Sequence, residues 1–144
     1  MASAPPEAPP PPGTLRLAAR RTQRKVGRRG TFLAILALID FGYGSGLISG
    51  YVPLFAHGTT MVFPLVAWGW IWVTVGVICL TGVPLRHDRI QFAVAALLKT
   101  AWAALIAVAW LENGIPGGWT SVAAWGGIAM LVLLASGWPD VRRR

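Results

Sequence analysis

Residues 31–51 read TFLAILALIDFGYGSGLISGY, an apolar run broken by one acid, Asp40, and followed by a cluster of glycines. Its length decides how it is read, because a helix needs roughly 20 apolar residues to cross the hydrocarbon core of a bilayer. Three further runs of that kind follow at 63–83, 90–111 and 119–138. Each is continuous rather than alternating. Helices are therefore expected over strands, since an open sheet edge in lipid would leave backbone groups unpaired. The expected fold is all-α: a polytopic membrane protein with four transmembrane helices in an up-down antiparallel bundle.

The rest of the composition agrees with that reading. Of 144 residues, 55% are hydrophobic and only 12% charged, against about a quarter charged in soluble domains. The mean hydropathy is +0.58. Too few polar side chains are present to cover a water-facing surface.

The net charge of +8 is not spread along the chain. Arg16, Arg20, Arg21, Arg24, Lys25, Arg28 and Arg29 precede the first run, Arg86 and Arg89 lie between the second and third, and Arg142–Arg144 close the chain. The connections at 52–62 and 112–118 carry no Lys or Arg. Basic residues near helix ends stay on the cytoplasmic side, so both termini are expected inside, in the cytoplasmic membrane.

Residues 1–13, MASAPPEAPPPPG, form a proline-rich tail that is expected to be disordered or extended. Residues 14–30 form a basic juxtamembrane segment, and residues 139–144 a basic C-terminal tail. Arg20, Arg21, Arg24, Lys25, Arg28 and Arg29 are candidate contacts for anionic lipid of the inner leaflet, where each cation contributes about 1 kcal/mol. No aromatic residue is interleaved with them, so base stacking has no support and nucleic acid is disfavoured as a partner.

Two charges of opposite sign fall inside runs. Asp40 lies eleven residues after Arg29, and Lys99 ten after Arg89. Both helices start on the inner side, so at 1.5 Å per residue the two charges sit at depths within about 2 Å of each other. Charges in a bilayer are expensive and face protein or water. An intramembrane ion pair between Asp40 and Lys99 is therefore expected.

Gly42, Gly46 and Gly50 repeat every fourth residue, and Gly126 and Gly127 sit within the last run. Such positions let helices approach closely, within one bundle or between copies in a homo-oligomer. Trp68, Trp70, Trp72, Tyr51, Trp110 and Trp119 are expected near the outer interface and Trp138 near the inner one, because their rings are apolar while their polar tips seek water.

Catalytic chemistry finds no foothold. No CxxC, HExxH or GxSxG pattern occurs, and His57 and His87 fall on opposite sides of the expected membrane. Cys79 stands alone. No enzyme, cofactor or metal is expected.

The Asp-Phe-Gly-Tyr-Gly stretch at 40–44, the regular tryptophans, the charged turn before the third run and the closing Gly137-Trp138-Pro139-Asp140 resemble small four-span membrane proteins of actinobacteria and their phages. The resemblance covers roughly the last four-fifths of the chain. It implies membership of a group in which some proteins are lysis-associated. Two functions are thus expected: a holin-like protein that oligomerises to permeabilise the membrane, or a membrane interaction and assembly protein.

Overall fold

The structure is a computed structural model that describes residues 12–50, 64–85, 87–114 and 117–139; the side chains of residues 12–26 and of Asn113 lie outside what is described. It is all-helical. α1 runs Pro12–Ile48, α2 Leu65–Gly82, α3 Arg89–Asn113 and α4 Gly118–Ser136. All four contain a stretch long and apolar enough to cross a membrane: Gly27–Ile48, Leu65–Gly82, Arg89–Glu112 and Gly118–Ser136.

α1 is two helices joined at Gly27, whose φ of 70° and ψ of 173° leave the helical region. Only glycine adopts that conformation without a steric penalty. The break separates the basic segment from the apolar one, so the first span begins at Gly27 and takes Arg28 and Arg29 into its opening turn. Thr31 Oγ1 donates to the Gly27 carbonyl at 2.9 Å, tying the first turn of the span back to the break.

The directions of the helices follow from one residue. Arg29, at the start of the first span, reaches Asp88 ahead of α3 and the Trp138 carbonyl beyond α4. The start of the first span, the start of α3 and the end of α4 therefore share one end of the bundle, and the four spans run up, down, up, down.

The helices are paired. α1 packs closely on α2, and α3 on α4, while backbone contact between the pairs is sparse. In the first pair Gly44 faces Gly69: a Cβ on either would lie 2.8 Å from the other's carbonyl oxygen. Gly76 continues the contact, since a Cβ there would lie 3.2 Å from Asp40 Cβ. In the second pair Gly118 sits under Trp110, with 2.7 Å between its notional Cβ and that of the tryptophan. Ala129 and Ala135 of α4 are buried. Small residues bring backbones together within a pair. Larger side chains fill the seam between pairs.

The outer faces are apolar. Leu38, Leu97, Leu111, Leu131 and Leu134 are each more than half exposed, and α4 is the least buried of the four spans.

Candidate functional site

The seam between the pairs is organised by a constant offset. Arg29 bonds Asp88, Asp40 bonds Lys99 and Tyr43 bonds Trp102, each pair 59 residues apart. α1 and α3 thus run parallel and in register. At the same offset Leu33, Leu36 and Leu47 on α1 and Phe92, Ala95 and Ile106 on α3 are all buried in the one core, a four-three spacing that keeps one helical stripe of each turned inward.

At mid-seam the Lys99 ammonium donates to Asp40 Oδ1, and both side chains have no exposed surface. The ammonium also lies 4.6 Å from the centre of the Trp72 ring, a geometry in which the ring face attracts a cation. Gly76 leaves room on α2 for the Asp40 side chain. The pair nevertheless leaves polar atoms over. Asp40 Oδ2 and Trp72 Nε1 are buried without a hydrogen-bond partner among the described residues. So is Oε1 of Gln91, two turns before Lys99 on α3.

Above the pair the seam is aromatic. Trp102 Nε1 donates to Tyr43 Oη at 3.0 Å. The Tyr43 ring lies 4.6 Å from Trp72 and 4.7 Å from Trp125, centre to centre. Trp102 meets Trp68 at 5.3 Å and Trp72 at 5.8 Å, edge to face. Such contacts each add about 0.5–1.5 kcal/mol beyond the area they bury. Below the pair the seam closes with a clasp. Arg29 donates through Nε at 3.1 Å and Nη2 at 2.5 Å to the two Asp88 oxygens, and through Nη1 at 3.0 Å to the Trp138 carbonyl. Its guanidinium lies 5.1 Å over Phe92. Phe32 stacks on Phe92 and meets Trp138 edge-on.

Several sequence expectations are redrawn here. Gly42, Gly50, Gly126 and Gly127 have nothing within 4 Å of where a Cβ would stand, so none of them seats a helix of this bundle. Gly50 lies beyond the end of α1 at φ 72°, and Gly46 is half-buried. The intervening Gly44, on another face, makes the close contact. Arg29 turns inward to Asp88 instead of outward to lipid, because a buried carboxylate stands opposite it. Arg28 is exposed, and the side chains of Arg20, Arg21, Arg24 and Lys25 lie outside the described residues. Trp70, Trp110, Trp119 and Trp138 are exposed, whereas Trp72 is buried and Trp68 half-buried in the seam. Residues 70 and 72 fall on different helical faces, so a run of alternate tryptophans cannot all face lipid. Tyr51 lies outside the described residues.

Asp88, Tyr43, Trp102 and Trp125 escaped the sequence reading. The signal for the first three was the shared four-three spacing around Asp40 and Lys99. Among the described residues no group of three His, Cys, Asp or Glu side chains could hold a metal ion. Comparison with protein-family models, with curated proteins and with solved structures finds no match to this chain.

Proposed function

We propose that this chain is a non-enzymatic four-span protein of the cytoplasmic membrane, with both termini in the cytoplasm, that acts by associating with other membrane-embedded helices, its own copies included. The basic segment before Gly27 lies on anionic lipid. The distribution of polarity carries this reading. Asp40 and Lys99, the two charges at mid-span, are turned inward and paired, whereas the outward faces carry leucine, tryptophan and open glycines. Exposed hydroxyls at Ser45, Ser49 and Thr74 bond back to carbonyls of their own helices. An exterior of that kind suits contact with lipid or another apolar helix, and it offers no wet face to line a hole.

Such an exterior favours assembly over holin-like permeabilisation, and one experiment separates them. The full chain is expressed in bacteria to high membrane accumulation while dye uptake and in-membrane cross-linking are followed together. Cross-linked oligomers in cells that exclude dye are expected. Dye uptake that tracks accumulation would favour the holin-like alternative, and a species that stays monomeric at every expression level would end the assembly reading.

A further inference from the structure

Asp40 is joined by a single bond from Lys99, and its second oxygen is buried with nothing among the described residues to accept from. A carboxylate present only to fix helix packing gains from having both oxygens bonded, because a buried acceptor left over costs the desolvation it has lost. Beside it stands the Trp72 ring, already placed against the ammonium that Asp40 binds. A spare acceptor beside an aromatic ring face asks for a cation that carries N–H donors. An anion would satisfy only the Trp72 Nε1.

We infer that Asp40, Trp72 and the seam between the helix pairs form a recognition site for a protonated amine, with the Lys99 ammonium as a tethered occupant that competes for the same carboxylate. The architecture supplies a way in. Each pair is tightly packed by its own small residues, while close backbone approach between the pairs is sparse, so the seam can part without unpacking either pair. Its lower end is held by the Arg29 clasp, whose side chain remains 16% exposed and thus within reach of water. One buried carboxylate balances one cation, so an incoming amine and the Lys99 ammonium exclude each other. The site is independent of how the bundle associates through its outer faces.

The test uses the full-length protein in detergent micelles with n-butylammonium as probe and 1-butanol and butyrate as neutral and anionic controls. Lys99→Ala removes the occupant and leaves its space. Butylammonium is expected to raise the thermal midpoint of Lys99→Ala by several degrees and to shift its tryptophan emission saturably, with the controls inert. Wild type is expected to respond at least tenfold more weakly, and Asp40→Asn/Lys99→Ala not at all. Should Lys99→Ala fail to accumulate, Lys99→Ser carries the test, since its short side chain also leaves the space and the carboxylate open. No response in the folded single variant, or an equal response in the double variant, overturns the inference and leaves the pair a packing element.

Discussion

Arg29 holds Asp88 from 59 residues away through two bonds, of 3.1 and 2.5 Å, and with its remaining nitrogen donates to the Trp138 carbonyl. One side chain thus ties the beginning of the first span to the turn before α3 and to the end of α4. Asp88 stands at the N-cap of α3 yet caps nothing with its side chain; Arg29 takes both oxygens instead.

Removing the clasp is expected to loosen this end of the bundle. Hydrogen bonds to charged groups contribute about 1.5–3 kcal/mol each, less where water screens them. Arg29→Gln is therefore expected to lower stability by about 1–3 kcal/mol in unfolding followed by circular dichroism. The swap Arg29→Asp/Asp88→Arg should recover only part of the loss, because the Trp138 carbonyl and the Phe92 ring lose their cation. Full recovery would mean that the pair alone matters and the link to α4 does not.

At Asp40 and Lys99 the magnitudes are larger and the pattern differs. Breaking a fully buried pair from one side costs about 3–5 kcal/mol, whereas replacing both partners with apolar residues of similar volume is often neutral or stabilising. Asp40→Leu and Lys99→Met are each expected to reduce membrane accumulation and thermal stability sharply, and the double variant to approach wild type. Salt should leave all three unchanged, since screening does not reach a site without exposed surface. If the double variant is as poor as the worse single one, the two charges are not coupled in the folded protein.

How much of this was open to reading in the sequence depends on what kind of information each feature needs. The four spans needed only local apolar content and length. The matched depth of Asp40 and Lys99 needed only a count along two helices entering from one side. The partner of Arg29 was hidden because a basic residue at a helix start reads the same whether it faces lipid or a carboxylate. Trp72 was hidden for a related reason: tryptophan is amphipathic, and its composition cannot say whether the ring faces headgroups or a seam. The glycines misled because spacing names a face and not a neighbour. Gly42 and Gly46 share a stripe, but Gly44, on another face, is the one α2 approaches.

Those glycines give a separable pair of outcomes. Gly44→Ala and Gly69→Ala place a methyl group 2.8 Å from a backbone oxygen of the facing helix. Backbone cannot turn aside as a flexible side chain can, and overpacking of this sort costs about 1–3 kcal/mol. Both are expected to lower the thermal midpoint. Gly42→Ala and Gly126→Ala meet nothing within 4 Å and should leave the monomer at least as stable, alanine being the better helix former. Analytical ultracentrifugation of the same variants adds a second reading. A smaller oligomeric fraction for Gly126→Ala, with the monomer no less stable, would place α4 in the contact between copies.

The proposed orientation can be checked with a single reactive residue at each end of the bundle. Leu85, exposed beside the clasp, and Gly114, exposed at the far end of α3, serve as positions. The native thiol, Cys79, is buried, so it should contribute little background to labelling by a membrane-impermeant maleimide. Arg28, Arg29 and Arg89 gather at the Leu85 end, and the rule that keeps cations inside assigns that end to the cytoplasm. Leu85→Cys is accordingly expected to react only after the cells are opened, and Gly114→Cys in intact cells. The two positions lie at opposite ends of the bundle, so the labels must exchange accessibility together if the chain inserts the other way round. Labelling of Leu85→Cys from outside, with Gly114→Cys protected, would reverse the topology while leaving the helix pairing intact. Partial labelling of both would mean that the chain inserts in two orientations. In that case the basic segment before Gly27 would not be fixing the direction of the first helix.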